Sequence, residues 1–319
     1  MVGMTDIKGI VRAICISEHR GTQKHQVDRA HFIVNHGIEG DAHAGNWHRQ
    51  VSLLSYDKVV EFNKRGADVN HGDFGENLVV EGIDFRELPV GSVFSLGTVK
   101  LKMTQIGKEC HSHCAIFNRV GECIMPHEGV FAEVIQEGIV QVGDILKVEL
   151  ASEDRPFTAA VITMSDKSFK GERVDESGPA AVAILQENGY EVVETLILPD
   201  EEEKLKQQLI RLSDGRQVDL IITSGGTGFS LRDRTPEATK AVAERNASGI
   251  AEYIRMKSAE ITPRAMLSRG VSVIRGKTII INLPGSTKAV KESMGFIMEG
   301  LDHGIRILRG SASECARKD

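Results

Sequence analysis

Thr223-Ser224-Gly225-Gly226-Thr227-Gly228-Phe229-Ser230-Leu231-Arg232-Asp233-Arg234-Thr235-Pro236-Glu237 is the stretch on which the reading of this chain turns. Before it, Val218-Asp219-Leu220-Ile221-Ile222 is short, apolar and β-branched, the pattern of a buried strand. After it, Thr235 is placed to N-cap a helix and Pro236 to open its first turn. The expected element is strand, glycine-rich loop, helix. Three close glycines let the backbone turn tightly and bring its N–H groups near a ligand with no side chain between. The hydroxyls of Ser224, Thr227 and Ser230 add donors, and the combination suits phosphate. No Gly-Lys-Ser/Thr closes the loop, and its spacing is not G-x-G-x-x-G. Glycines alone fit a tight turn leaving a strand at least as well as they fit phosphate.

The rest of the string shifts that balance. With Arg232-Asp233 and Thr235-Pro236-Glu237 included, it resembles the signature of the Mog/MoaB family of molybdopterin-binding proteins, which includes molybdopterin adenylyltransferase. Around it, apolar strands alternate with helical patterns, which predicts a layered α/β fold. A strand over Thr158–Thr163 is followed by Ser165-Asp166-Lys167-Ser168, at the carboxyl end where open α/β sheets bind ligands. Helix capping accounts for Ser177 better than for Ser165 or Asp166. After the strand Val192–Leu198, Asp200 and Glu203 form a capping-box pattern for a helix over Glu201–Leu212. The resemblance adds that the family places a functional aspartate after this strand, and Asp200 is the matching residue. Strands over Val271–Ile274 and Thr278–Asn282 precede a helix from about Lys288 to Leu308, with Ala289, Met294, Ile297, Leu301 and Ile305 as its buried stripe. Asn282-Leu283-Pro284-Gly285-Ser286 resembles the family's second ligand loop, with Thr287 where relatives commonly have proline. Ala265-Met266-Leu267-Ser268-Arg269 resembles another family segment. The helix before it carries Glu252 and Arg255, expected on a solvated face.

At 319 residues the chain should hold two domains. Residues 1–150 read as one unit, 151–156 as a short polar connector, and 157–319 as the second. The composition, 41% hydrophobic and 26% charged, is ordinary for globular protein. A formal net charge of −6 argues against general nucleic-acid or membrane-surface binding, so anionic ligands need local N–H groups and individual cations. The sequence shows no transmembrane-length apolar run and no secretory pattern at its start. Five cysteines without a regular framework fit a reducing cytosol, so a cytoplasmic protein is expected.

The first unit reads as mostly β, with short alternating runs such as Ser92–Leu96 and Val99–Met103 between turns, the spacing of a barrel or sandwich. One helix is expected around Tyr56–Arg65. Gly40-Asp41-Ala42-His43-Ala44-Gly45, Arg49-Gln50-Val51-Ser52-Leu53-Leu54, Phe74-Gly75-Glu76-Asn77-Leu78 and Thr104-Gln105-Ile106-Gly107-Lys108-Glu109-Cys110 recur in the order expected of a MOSC domain. The resemblance implies a β-barrel linked to binding and sulfur chemistry of the molybdenum cofactor, with Cys110 the best match to the family's candidate sulfur carrier. Lys108, His111 and His113 flank Cys110, and nearby cationic groups favour a thiolate. Cys114 and Cys123 are alternative carriers or partners. The same cluster, with His127, can be read as a thiol/imidazole metal site, although its spacing matches no standard zinc pattern. Burial of these cysteines as small hydrophobes is a third reading. Asp41 and His43 fit turn shaping better than metal ligation. Arg49 is a candidate bidentate anion contact.

Together the resemblances imply a MOSC-like β-barrel followed by an α/β/α three-layer domain with a central, mostly parallel sheet. They also imply a reaction. The terminal phosphate of molybdopterin attacks the α-phosphate of ATP, and pyrophosphate leaves. The chemical need is charge neutralisation rather than a general base. Asp200 and Asp233 are therefore assigned to Mg²⁺ and nucleotide positioning. Ser224, Gly225, Gly226, Thr227, Gly228, Pro284, Gly285 and Ser286 are assigned to nucleotide or molybdopterin, with the Gly225–Gly228 and Pro284–Ser286 loops holding phosphate through backbone N–H. Ser165 and Asp166 are assigned to nucleotide or pterin. Implied partners are molybdopterin, ATP, a cysteine desulfurase, a molybdenum-insertion protein, a recipient molybdoenzyme and other copies of the chain, a trimer foremost. The MOSC-like unit is expected to bind the molybdenum cofactor or supply its sulfur. The competing readings are a non-catalytic cofactor carrier or chaperone, and a metal sensor built on the cysteine/histidine cluster.

Overall fold

A computed structural model of the chain describes residues 7–108 and 115–310. Contacts divide it into two compact units, Met1–Ser152 and Glu153–Asp319.

The first unit is a closed barrel. Its strands are β1 (Lys8–Ile16), β2 (His25–Val27), β3 (Arg29–Ile33), β4 (Gly37–Ile38), β5 (Val51–Ser55), β6 (Leu78–Glu81), β7 (Val93–Leu96), β8 (Val99–Ile106), β9 (Val130–Gln136), β10 (Gly138–Gln141) and β11 (Ile145–Glu149). The order β11-β7-β8-β9-β5-β6-β1 closes through a pairing of β11 with β1, giving seven strands in the ring. Closure removes the exposed edges an open sheet would carry. All the ring pairings are antiparallel except β5 with β6. The alternation legible in β7 and β8 turns Phe94, Leu96, Leu101 and Met103 inward onto Phe32 and Phe85. Strands β10, β3 and β4 form a separate small sheet. Helix α1 (Tyr56–Lys64) buries Val59 and Phe62 in a satellite cluster with Leu54 and Phe74; the short helices α2 (Ala115–Val120) and α3 (Met125–Glu128) follow β8.

The second unit is an α/β/α sandwich. Its strands are β12 (Thr158–Met164), β13 (Glu191–Leu198), β14 (Leu220–Ser224), β15 (Arg245–Asn246), β16 (Ser272–Arg275) and β17 (Thr278–Leu283), in the order β13-β12-β14-β17-β16-β15. The first four are parallel, and the last two join antiparallel. Both faces of the central strands are buried, which is why they read as continuous apolar runs rather than alternating ones. Alternate residues serve opposite cores. Ala159, Val161, Leu220, Ile222, Ile279 and Ile281 face α5 (Ser177–Glu187), α8 (Ser248–Ile261) and α9 (Thr287–Arg309). Ala160, Ile162, Ile221 and Ile280 face α6 (Glu202–Ile210) and α7 (Thr235–Ala241). A single-turn helix, α4 (Asp166–Phe169), follows β12. The stripe of α9 is Val290, Met294, Ile297, Leu301 and Ile305; Ala289 is only partly buried.

Candidate functional site

Because β13, β12, β14 and β17 are parallel and in register, they end level. Met164 lies opposite Leu198, Thr163 opposite Ser224, and Ser224 opposite Leu283. The loops that follow them therefore converge at one end of the sheet and open on a cleft of about 970 Å³. Ser165, Asp200, Ser224–Gly228, Asp233 and Pro284–Ser286 all line it. Asp166 does not line the cleft itself.

The two glycine loops are packed backbone to backbone. Gly225 donates its N–H to the Leu283 carbonyl at 3.1 Å, and Ser224 donates its hydroxyl to the Pro284 carbonyl at 3.3 Å. At Gly225 φ is +99°, and a Cβ there would sit 2.4 Å from the Met164 carbonyl oxygen. At Gly226 φ is +65°, and a Cβ would meet Thr235 Oγ1 at 2.3 Å. Only glycine satisfies both conditions. Gly225 and Ser224 are thus spent on joining the loops, and Pro284 has no N–H to offer. The N–H groups of Gly226, Thr227, Gly228, Gly285 and Ser286 have no partner among the described residues.

The acidic residues are linked. Asp166 donates its N–H to Asp200 Oδ2, and Asp200 donates its N–H to Asp166 Oδ1, each at 3.1 Å. This long-range exchange replaces the expected capping box: α6 has Glu201 at its N-cap and no side-chain cap. Arg232 grips the Asp166 carboxylate, with Nη2 at 2.8 Å from both oxygens, and holds it below the usual carboxylate range. Asp200 moves the other way. Burial raises its carboxyl, and the charges of Asp166 and Asp233 add to the rise. Asp233 Oδ2 accepts the Ser230 N–H at 2.9 Å. Neither Asp200 nor Asp233 forms an ion pair among the described residues, and each keeps one carboxylate oxygen uncommitted. Two crowded carboxylates facing a cleft are a donor set that suits a hard divalent cation.

Three arginines supply the opposite charge. Arg173 Nη2 donates to Ser165 Oγ at 2.9 Å, Arg255 Nη1 donates to the Gly270 carbonyl at 2.7 Å, and both line the cleft with Arg264. Arg255 is therefore not on a solvated face, while Glu252 is exposed as expected. Capping is also distributed differently from the sequence pattern. Ser165 caps α4, accepting the Ser168 N–H at 3.1 Å. At α5 the N-cap Glu176 makes no side-chain bond, and Asp175 just before it accepts the Ser177 and Gly178 N–H groups at its Oδ1. Burial would raise the Asp175 carboxyl, but these donors and the Thr163 hydroxyl at 2.6 Å hold it below the usual range. Thr235 is the first residue of α7 rather than its N-cap, and its buried hydroxyl has no partner among the described residues.

In the first unit, Asp41 is committed to structure. Its Oδ2 accepts from Lys24 Nζ at 2.8 Å and its Oδ1 from the Ser17 N–H at 3.0 Å, inside a pair that is almost fully buried. His43 is 4.0 Å from this carboxylate, and burial lowers its pKa. The Arg49 guanidinium stacks 4.8 Å from the Trp47 ring centroid and 5.5 Å from that of Phe131. Cys110, His111, His113 and Cys114 lie outside the described residues. Cys15 is fully buried, and burial pushes its thiol up to about 12. No helix among the described residues is long and apolar enough to cross a membrane.

A family model described as a probable molybdopterin binding domain matches residues 160–303, and a MOSC domain model matches residues 40–147. Over 161 residues, 50% of this chain, the sequence is 37% identical to a molybdopterin adenylyltransferase of Helicobacter pylori and covers 92% of it. Over 170 residues, also 50% of the chain, it is 37% identical to gephyrin of Dictyostelium discoideum, of which it spans only 24%. The crystal structure of the molybdopterin biosynthesis enzyme MoaB from Thermus thermophilus aligns at 42% identity and a TM-score of 0.47, covering 48% of this chain and 97% of that one.

Proposed function

The chain belongs to the molybdopterin-binding family that includes the molybdopterin adenylyltransferases, with a MOSC domain ahead of that region, and on this premise we propose that its second unit adenylylates molybdopterin. Family membership sets the work of this unit within molybdenum cofactor biosynthesis. The observation that carries the finer reading is the convergence of Asp200 and Asp233 on one cleft beside two glycine loops.

In this reading the attacking group is the terminal phosphate of the pterin, an anion before the reaction starts. It attacks the α-phosphorus of ATP, a new P–O–P bond forms, and the bond to pyrophosphate breaks. No base is needed; two anions must be brought together and their charge neutralised. The uncommitted N–H groups of Gly226, Thr227, Gly228, Gly285 and Ser286 hold phosphate oxygens. Arg173 and Arg255 add positive charge from the cleft wall. Asp200 and Asp233 would hold Mg²⁺, which would screen the phosphates and offset the burial and neighbouring charge that raise Asp200. Asp166 keeps Asp200 in place through their exchanged backbone bonds.

The test is turnover. Intact protein is incubated with molybdopterin and Mg-ATP, and adenylylated pterin and pyrophosphate are followed, with Asp233→Asn alongside. Product from the wild type that is lost in the variant supports the transferase. Tight pterin binding without product moves the chain to the carrier reading.

For the first unit we propose cofactor binding or sulfur delivery, with Arg49 as the anion contact. Cys15 is excluded as carrier by its burial and raised thiol. The sulfur-carrier reading therefore rests on Cys110, with Cys114 and Cys123 as alternatives. Persulfide mapping by mass spectrometry after incubation with a cysteine desulfurase and cysteine distinguishes the two: no sulfur on any of the three leaves binding alone.

A further inference from the structure

The loop between Gly228 and Arg234 has little apolar burial to hold it. Phe229 is 70% exposed and Leu231 97%. Its shape must come from polar ties, and most of these are weak. Arg232 with Asp166 and Arg234 with Glu202 are ion pairs whose arginines are at least half exposed, a class that contributes little. One residue from outside the loop grips both of its ends. Arg269 Nε donates to the Gly228 carbonyl at 2.7 Å, and its Nη2 donates to the Asp233 carbonyl. Its backbone N–H donates to the Thr227 carbonyl at 3.0 Å. The third face of the guanidinium meets Glu237 Oε1 on α7 at 2.5 Å.

A planar guanidinium fixes the separation of the groups it bonds, which a single ammonium cannot do. The Asp233 carboxylate also lies directly over Gly228, where an added Cβ would be 2.9 Å from Oδ2. Holding the Gly228 and Asp233 carbonyls therefore sets where that carboxylate points. Arg269 itself does not line the cleft. We propose that Arg269 is a positioning residue that aims Asp233 into the cleft, an inference that rests on the transferase reading for its catalytic consequence.

The experiment compares full-length wild type with Arg269→Met and Arg269→Lys by amide hydrogen exchange and by steady-state kinetics. Both variants should raise exchange in residues 228–234 at least about tenfold, with β14 and β17 unchanged. In both, kcat should fall by roughly 100-fold, the scale of a misplaced catalytic group. The Mg²⁺ concentration for half-maximal rate should rise while KM for the pterin stays near wild type. Arg269→Lys keeps the charge and most of the stem, so it reads the geometry even where the methionine variant unfolds. Wild-type loop exchange in the lysine variant would overturn the inference, as would loosened exchange with wild-type kcat. A wild-type protein that makes no product refutes the transferase reading instead, and the exchange comparison then still decides whether Arg269 holds the loop.

Discussion

Replacing Glu76 by glutamine should flatten the pH dependence of the first unit's stability. Glu76 is fully buried, with its carboxyl accepting the Gly72 N–H at 2.7 Å and the Phe74 N–H at 3.1 Å. Burial nevertheless dominates and raises it from 4.5 to about 7, with Asp73 adding to the rise. The native state therefore binds this proton more tightly than the unfolded chain does. Stability must fall as pH rises from the unfolded value to the folded one, and the deficit stays constant above it. Taking 4.5 and about 7 as the two values, ionised Glu76 costs roughly 3 kcal/mol above pH 8. Moving from pH 8 to pH 5.5 recovers about 2 kcal/mol of this. Other groups titrate in the same window: His43 and His71 have pKa values lowered by burial and act in the opposite direction. The decisive quantity is the difference between wild type and Glu76→Gln. Trp47 is the only tryptophan and lies in this unit, so urea unfolding followed by its fluorescence reports the right transition. The wild type should gain about 2 kcal/mol more than the variant between pH 8 and 5.5. Parallel pH profiles for the two proteins would refute the reasoning.

Gly225→Ala should cost at least 1–3 kcal/mol by a strained backbone alone, roughly the scale for that conformation, and abolish ligand binding; a native-like Tm with intact pterin binding would contradict the loop geometry. Arg309→Leu should cost about 3–5 kcal/mol. Arg309 is buried, bonds both oxygens of Asp219 and donates to the carbonyls of Glu153, Arg155 and Pro156, so its loss leaves Oδ1 of a buried carboxylate without a partner among the described residues and only Arg155 and Thr158 on Oδ2. Denaturant unfolding of the second unit reads this, and Arg309→Leu with Asp219→Asn should recover part of the loss. Thr235→Val should be neutral or stabilising within about 1 kcal/mol, because the hydroxyl removed is buried and makes no hydrogen bond among the described residues; a clear drop in Tm would show that it has a partner.

Much of this was legible in the chain because it is local. The strand before Thr223, the glycines after it and the helix beyond Pro236 lie in one unbroken run, and each type of residue has a short-range reason to be there. The converging loops followed from the parallel strands, since such strands bring their carboxyl ends to one side. What escaped is what depends on partners far along the chain. Asp200 satisfies the local pattern of a capping box, yet the backbone N–H of Asp166, 34 positions away, claims its carboxylate. Arg255 carries no mark that separates it from a solvated arginine until Gly270 and the cleft wall are in place. Arg269 is 36 positions from Asp233 and shows no periodicity. Ser165 and Ser177 both sit at helix starts. Only the structure shows that the first is a cap while the second donates its hydroxyl to Asp175, which takes up the first N–H groups of α5.

The barrel also begins and ends on neighbouring strands, with Lys8 opposite Lys147 and Ile10 opposite Ile145. The chain therefore enters and leaves this unit at nearly the same point. A module built this way can be spliced ahead of another sequence without rethreading either, because its own closure is independent of the segment attached after β11. The same adjacency makes it a good subject for circular permutation. Joining the present ends by a few residues and opening the exposed turn at Glu18–Gly21 would leave every ring pairing in place. Appending an α/β unit after β11 therefore needs only a connector.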